Sequence, residues 1–357
     1  MGRHHAPAPH PARDRAAIRT MILAMIGLTV FVLAMIASYA GAFAKPTLHH
    51  LTVAVAGPQQ LVDAVHGHEG LSATPVTDDA AARQQVYERT ADAAIAVGPA
   101  EDMKIYVAGG GGRSVATAAE TVGRAIAADA GLSATVEDVA PTSAGNPSGT
   151  VEFYAIIFIS IGASVGATVF GYLMGRVHNP TTLALRTMTL AGYSALLAGC
   201  VTVYVDAVQH ALTGHPWQVF GALWLYSMAV GGAITGVAAA CGTVPSMALT
   251  LFLVVIGNAA AAGPVGLPLL SGFYATFNAV VPQGSGVSLL RSIEYFGGNG
   301  AQTPLVTLAI WGAAGCLLAV LATASRLNYR ALHERFLSNG GGRNRALLRP
   351  RLLSPAD

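Results

Sequence analysis

Charged residues are scarce in this sequence, at 11% of the 357 residues, whereas hydrophobic residues make up 53%. Soluble domains carry about 25% charged residues, so most of this chain is expected to lie in lipid. We therefore predict a membrane protein that is surrounded by membrane lipid and has no nucleic-acid partner.

Cysteine is also scarce. The three residues of this type, Cys200, Cys241 and Cys316, lie in or beside apolar segments, and no two of them have CxxC spacing. A disulfide framework or a zinc site is therefore not expected. The histidines at 49–50 and 66–68 lack cysteines or carboxylates at ligand spacing, so we predict no metal and no cofactor.

Nucleotide-binding and catalytic motifs are missing. The segment 108–114 is rich in glycine and lies between a predicted strand and a predicted helix, but it lacks the Gly-Lys-Ser/Thr ending of a P-loop. We interpret it as a glycine-rich turn. No Ser-His-Asp arrangement, paired carboxylate or HExxH motif is convincing, so the chain is not expected to hydrolyse ATP or to be an enzyme.

Long apolar runs, in contrast, are abundant. Six of them have about the 20 residues that a spanning helix needs: 21–43, 152–175, 186–209, 217–240, 244–263 and 303–325. The first follows a basic arm, as in a signal peptide, but it exceeds the usual apolar region of about 7–15 residues. We interpret it as an uncleaved anchor and leave cleavage near Ala42 open.

Four of these spans contain no Asp, Glu, Lys or Arg: 21–43, 217–240, 244–263 and 303–325. Carriers driven by protons or sodium ions usually keep an ionisable residue at mid-membrane. A self-powered secondary transporter is therefore not expected.

The region from 45 to 150 has a different pattern and predicts a small α/β domain, because short strands alternate with helices. Its acidic residues outnumber its basic residues two to one. The predicted strands are 51–57, 72–76, 91–97, 104–107 and 134–139, and the predicted helices are 58–66, 78–89 and 114–130.

Lysine and arginine are concentrated in the arm at 1–20, the turn at 175–186 and the tail at 326–357. With six spans, these three regions lie on one side of the membrane, which the positive-inside rule assigns to the cytoplasm. The sequence thus predicts a multi-pass protein of the inner or plasma membrane with both termini cytoplasmic. The domain at 45–150 and the loop before the last span are then outside.

That loop, 264–297, is too polar and too broken by glycine and proline to span a bilayer. Apolar spacing predicts an amphipathic helix over 269–281, a turn over 282–286 and a second helix over 287–296. Two short helices of this kind indicate a re-entrant hairpin, which needs to pack against protein or face water. We predict a five-helix membrane domain over 152–325 that contains this hairpin.

The hairpin contains our candidate substrate or gate residues: Phe273, Phe277, Pro282, Arg291 and Glu294. Arg291 and Glu294 are three residues apart on a helix and can pair. The aromatic residues equally fit an interfacial helix seated by an aromatic belt, and the two interpretations are compatible.

The order of these elements resembles that of the type-2 ABC exporter permeases: one span, a large domain, and then five spans with a proline-rich hairpin before the last. The likeness is greatest to the Pip/YhgE branch and the related nitrosoguanidine-resistance membrane proteins. The matching elements of the hairpin are Pro268 to Phe273, Pro282 to Gly286 and Leu290 to Ser292. The strand at 51–57 and the Glu-Phe-Tyr at 152–154 also fit.

The resemblance covers about residues 20–325. It implies a homodimeric permease that exports a hydrophobic, amphipathic or cell-envelope substrate with power from a separate ATPase subunit. Such permeases usually dock their ATPase through a cytoplasmic coupling helix, whereas the internal turns here are short.

Two other hypotheses stay open. One is a membrane-anchored scaffold or receptor whose external domain binds an envelope or secreted partner without transport. The other is a membrane enzyme that acts on lipids, which the lack of catalytic carboxylates and histidines in the spans disfavours.

Overall fold

The computed structural model describes residues 11–99, 102–175 and 179–346, with the side chains of 15–329 in those ranges. The predictions for the first ten residues of the arm, for Arg176 and for the last eleven residues of the tail lie outside the described residues. The elements are, in chain order, α1 (Pro11–Phe43), β1 (Leu51–Ala56), α2 (Gln59–Gly67), β2 (Leu71–Pro75), α3 (Asp79–Tyr87), β3 (Ala93–Val97), β4 (Asp102–Val107), α4 (Arg113–Asp129), β5 (Ser133–Asp138), α5 (Val151–Met174), α6 (Pro180–Val203), α7 (Pro216–Cys241), α8 (Thr243–Phe252), α9 (Gly272–Asn278), α10 (Pro282–Tyr295) and α11 (Gln302–Ala346).

Residues 51–138 form a five-stranded sheet with three helices, which we call the sheet domain. The strand order is β2-β1-β3-β4-β5, and all neighbouring strands are parallel except β3 and β4. Every strand and helix predicted for this region is present, with ends within two residues of the prediction.

Strand β1 shows why the sheet forms. Its side chains alternate between the two faces of the sheet, as the pleat of a strand requires. Val53 and Val55 pack against α2 and α4 on one face, whereas Ala54 and Ala56 pack against α3 on the other. Because both faces are covered, every residue of the strand except Thr52 is apolar.

Five helices are long and apolar enough to cross a membrane, within the described part of the chain, and they indicate a multi-pass membrane protein. They are Arg15–Phe43, Val151–Met174, Pro180–Val208, Pro216–Cys241 and Gln302–Tyr329. The run predicted as the fifth of six spans forms a shorter apolar helix, Thr243–Gly257, which ends in a π-helical turn. At 1.5 Å per residue this helix is about 22 Å long, so a sixth span stays a prediction.

Helix α7 lies at the centre of the helical bundle, with α5, α6, α8, α10 and α11 around it. Glycines let α11 approach it closely: a Cβ atom placed on Gly315 would be 2.5 Å from the carbonyl carbon of Gly232. The small residues Gly162 and Gly166 of α5 make room for a side chain, since a Cβ atom on Gly166 would be 2.5 Å from the ring of Tyr193. The space beside this glycine pair is therefore filled by Tyr193 of α6.

The two ends of the bundle differ. At the domain end, which adjoins the sheet domain, α5 begins after the linker 139–150, and Ser143 Oγ donates to the carbonyl of Ala211 just before α7. At the opposite end, α5 gives way to α6, α7 turns into α8 at Gly242, and Arg326 of α11 donates to the carbonyl of Ala239.

Three element bounds correct the sequence predictions. Helix α1 already begins at Pro11, within the predicted arm, and α11 runs to Ala346, far into the predicted tail. The predicted turn at 282–286 is wrong, because these residues form the first part of α10. Proline favours the first position of a helix because its backbone has no N–H to leave unpaired there.

Candidate functional site

Helix α10 joins the bundle to the sheet domain. It packs against α5, α7 and α11 at one end and against the glycine-rich turn before α4 at the other. Its first five residues, Pro282 to Gly286, are all buried. A Cβ atom on Gly286 would be 2.6 Å from Cδ1 of Ile156 and 3.0 Å from the ring of Tyr226. The glycines therefore serve close packing of a helix inside the bundle.

A buried amide fixes the inner end of α10. Gln283 is fully buried, and its Nε2 donates to Ser160 Oγ at 3.1 Å and to the carbonyl of Leu253 at 2.9 Å. Leu253 begins the π-helical turn that follows α8. Since a buried N–H donor without a partner is costly, these two bonds hold α10 to α5 and to the π-helical turn that follows α8.

Arg291 is the central side chain of the outer half of α10. It is 4% exposed, and its two terminal nitrogens donate to four backbone carbonyls. Nη1 bonds Gly111 at 3.0 Å and Ala262 at 3.3 Å; Nη2 bonds Gly149 at 3.2 Å and Gly263 at 3.0 Å. One guanidinium thus connects the glycine-rich turn, the linker and the segment after α8.

Arg89 reaches the same helix from the sheet domain. It follows α3 with a φ of 62°, a backbone conformation that is uncommon for residues other than glycine. Its Nη1 donates to the carbonyl of Ser288 at 3.0 Å and to Ser292 Oγ at 2.5 Å, and its guanidinium lies 5.0 Å from the ring centre of Phe296. Burial, together with the positive charge of Arg291, lowers the pKa of Arg89 to about 10.

A buried acid completes this arrangement. Glu152 is 0% exposed, and its Oε1 accepts from Asn146 Nδ2 at 2.8 Å and from the hydroxyl of Tyr295 at 2.6 Å. Its negative charge acts on Arg291 through space. The structure thus buries Glu152, at the start of α5, as part of this network.

We call these elements together the junction: the turn 108–112, the linker 139–150, the segment 258–263 and α10. Apolar contacts add to the polar ones. Phe296, just after α10, packs into the core between the sheet and α3, and Val265 and Leu269 pack into the core on the other face. The hairpin therefore completes both cores of the sheet domain.

The glycine-rich turn has a packing role that supports its interpretation as a turn. A Cβ atom on Gly110 would be 2.5 Å from Cβ of Tyr295, and one on Gly111 would be 3.4 Å from the ring of Phe296. Glycine lets the aromatic end of α10 lie directly on this turn.

The predicted pairing of Arg291 with Glu294 is wrong. Arg291 bonds backbone carbonyls, while Oε1 of Glu294 accepts from the backbone N–H of Gly214 at 3.0 Å. Burial raises the pKa of Glu294, and the backbone donors of Gly214 and Thr213 oppose that rise. The two side chains leave the helix towards different neighbours.

The other candidate residues lie on two different helices. Pro282 is buried at the start of α10. Phe273 and Phe277 lie on α9, with ring centres 5.1 Å apart, and Phe273 is 58% exposed. They do not line the cavity of about 170 Å³ at the junction, which Arg89, Arg291 and Asn278 border. The structure thus brings Arg291 together with Arg89 and leaves the aromatic pair apart.

Sequence reasoning did not single out Arg89, Asn146 or Gln283. Gln283 carried a signal, since it is an amide directly after the proline that follows the apolar residues 279–281. Arg89 carried none, because its partners Ser288 and Ser292 lie 199 and 203 residues away in the chain. Asn146 bonds the nearby Glu152 and the distant Tyr295, and neither spacing forms a recognisable motif. The residues that the structure describes contain no group of three His, Cys, Asp or Glu side chains that could hold a metal ion.

Helix α10 bonds and packs against both the sheet domain and the bundle. This arrangement suits mechanical coupling between the two. No family model, curated protein or solved structure matches this chain. The resemblance to exporter permeases consequently rests on the sequence motifs alone.

Proposed function

We propose that this chain is the permease subunit of an ABC-type exporter, with a hydrophobic, amphipathic or cell-envelope substrate and a separate ATPase. The observation that carries the proposal is the buried polar helix α10, wedged among α5, α7 and α11 and bonded through Arg291 to the sheet domain. A short polar helix in an apolar bundle is stable only when surrounded by protein. Such an element can transmit a movement of the bundle to the domain.

Helix α11 supports the coupling to an ATPase. It runs without interruption over 45 residues, Gln302–Ala346, which is about 68 Å at 1.5 Å per residue. A hydrocarbon core is about 30 Å thick, so the C-terminal part of α11 extends well beyond it. The internal turns are too short to contain a cytoplasmic coupling helix. In our proposal this extension of α11 takes the place of that helix and contacts the ATPase.

The orientation follows from charge. In our proposal the arm and tail are cytoplasmic in the cell membrane, and the sheet domain is outside. The arginines of the tail then lie near the inner leaflet, where each contributes about 1 kcal/mol of attraction to anionic lipid. The unit is a homodimer, as the family resemblance implies.

The test is affinity purification of the full chain from gently solubilised native membranes, followed by mass spectrometry. Deletion of residues 330–357 removes the extension of α11, and deletion of 347–357 alone is the matched control. We expect a stoichiometric nucleotide-binding subunit with the full chain and the control, and its loss with the longer deletion.

Recovery of an envelope or secreted protein in place of an ATPase would contradict the permease. That outcome would support the scaffold hypothesis, in which the sheet domain, held rigidly by Arg89 and Arg291, presents a binding surface.

A further inference from the structure

A second cavity, which we call the far cavity, lies at the opposite end of the bundle. Its volume is about 500 Å³, within the range of small-molecule sites. Helices α5, α6, α7, α8 and α11 all contribute to its wall. The lining residues that matter here are Gly171, Tyr172, Arg186, Thr243, Met247 and Arg326.

Arg186 is built into the wall of this cavity. The residue is only 6% exposed, and a Cβ atom on Gly171 would be 2.7 Å from its Nη2, so the glycine makes room for the guanidinium. Nη1 lies 3.4 Å from the carbonyl of Gly175, at the limit of a hydrogen bond. Nε is buried and has no hydrogen-bond partner among the described residues.

The described residues around this cavity contribute positive charge. Arg326 lines the same cavity, and none of the described lining residues is Asp or Glu. Between 151 and 329 the acids are Glu152, Asp206 and Glu294, and all three belong to the domain end of the bundle. Burying a cation without an opposite charge costs several kcal/mol, so a bound anion would relieve this cost.

The start of α8 adds to the attraction for an anion. Thr243 is the first residue of this ten-residue helix and lines the far cavity. The first N–H groups of a helix have no intrahelical acceptor, and the helix dipole is positive at this end. Two guanidinium groups and a helix N-terminus thus surround one space.

We propose that the far cavity binds a phosphate group, carried either by the head group of an anionic membrane lipid or by a free phosphate-bearing molecule. The planar guanidinium can donate two parallel hydrogen bonds to two oxygen atoms of a tetrahedral phosphate, which makes arginine the side chain of choice for this group. The rim offers a way in from the bilayer, since Tyr172 and Met247 are 87% and 56% exposed. The inference depends on the bundle lying in a membrane, but it does not depend on the proposed export function.

The experiment is ligand titration of the purified full-length protein in detergent, followed by native mass spectrometry and by thermal unfolding. The probes are phosphatidylglycerol, the zwitterionic phosphatidylcholine and inorganic phosphate. The test variant is Arg186→Gln, and Arg124→Gln, an exposed arginine of α4 paired with Glu120, is the matched control.

We expect one saturable phosphatidylglycerol molecule per chain, and binding that is weaker by about tenfold or more in Arg186→Gln. The control should bind as the wild type does, and phosphatidylcholine should bind less tightly. Inorganic phosphate that competes with the lipid confirms the phosphate group as the recognised part. Phosphate that binds as tightly as the lipid assigns the site to a free ligand.

Equal phosphatidylglycerol binding by wild type and folded Arg186→Gln would overturn the proposal. Should that variant not be recovered folded, Gly171→Ala makes the same test, because the added methyl group displaces the guanidinium. Weaker binding by Gly171→Ala supports the site, and unchanged binding refutes it.

Discussion

Two pairs of arginines lie at opposite ends of one helical bundle, each with one buried member, Arg291 or Arg186, and their surroundings differ. At the junction, Arg291 donates to four carbonyls and Arg89 donates to Ser288 and Ser292. At the far cavity, the terminal nitrogens of Arg186 have a single long hydrogen bond. Nε is unpartnered among the described residues in both Arg186 and Arg291, so the two arginines differ in what their terminal nitrogens bond. An arginine whose donors are used by the protein fastens parts of it together, whereas one whose donors face an empty space can bind a ligand.

The acids follow the same division. Glu152 is buried close enough to Arg291 to act on its charge, and Glu294 lies on the same helix. Among the residues that the structure describes, no acid lines the far cavity. The junction thus contains its own counter-charge, and the far cavity depends on one from outside.

The largest expected effect comes from breaking the junction with Arg291→Met. The change leaves four carbonyls without a donor and Glu152 without its cation, and removal of one member of a buried charged group costs about 3–5 kcal/mol. Chemical unfolding in mixed micelles measures this loss of unfolding free energy. Arg124→Met, at an exposed position on α4, should stay within about 0.5 kcal/mol of the wild type.

An added methyl group should have opposite effects at the two ends. In Gly110→Ala the new Cβ atom meets Cβ of Tyr295 at 2.5 Å, and overpacking of this kind costs about 1–3 kcal/mol. In Gly171→Ala it meets only the mobile end of Arg186, so the gain in helix propensity dominates and adds up to about 1 kcal/mol.

Thermal unfolding of both alanine variants beside the wild type checks this contrast. Gly111→Ala is the matched control for the turn, because its Cβ atom would lie at an ordinary 3.4 Å from Phe296. Equal melting temperatures for Gly110→Ala and Gly111→Ala would show that the turn is not tightly packed under α10.

The smallest expected effect is on stability at low pH. It arises from an ion pair within the sheet domain and involves neither arginine pair. The hydroxyl of Tyr106 and the ammonium of Lys104 bond Asp79 and lower its pKa. A lowered pKa contributes stability that is present above the unfolded-state value of 3.8 and is lost as pH falls through the folded-state value.

Asp79→Asn should therefore reduce the loss of stability below about pH 4. Thermal unfolding followed from pH 7 to pH 3 measures it. A variant as acid-sensitive as the wild type would show that other carboxylates govern this range.

The sheet domain was predictable because its signals are local. The apolar run of β1 and the serial alternation of strands and helices lie in the sequence itself. Long apolar runs likewise marked the five membrane-length helices. The run predicted as the fifth span forms the shorter helix Thr243–Gly257, and apolar composition alone does not reveal where such a helix ends.

The junction could not be predicted in the same way. Proline and glycine at 282–286 have the local signature of a turn, and only the neighbouring helices show that they form a buried helix start. Arg291 and Glu294 have the spacing of an ion pair, but their partners, among them Gly111 and Gly214, lie about 180 and 80 residues away in the chain. Contacts of that separation leave no periodic pattern.

The measurement that tests the comparison most directly is the melting temperature of wild type, Arg291→Met and Arg186→Gln, each with and without phosphatidylglycerol. The account predicts that Arg291→Met melts well below the wild type in both conditions and still gains stability from the lipid. Arg186→Gln should melt no lower than the wild type without lipid, because an uncompensated charge is gone, and should gain little when lipid is added. A lipid-dependent rise that survives in Arg186→Gln, or an unchanged melting temperature in Arg291→Met, would contradict the division between the two ends.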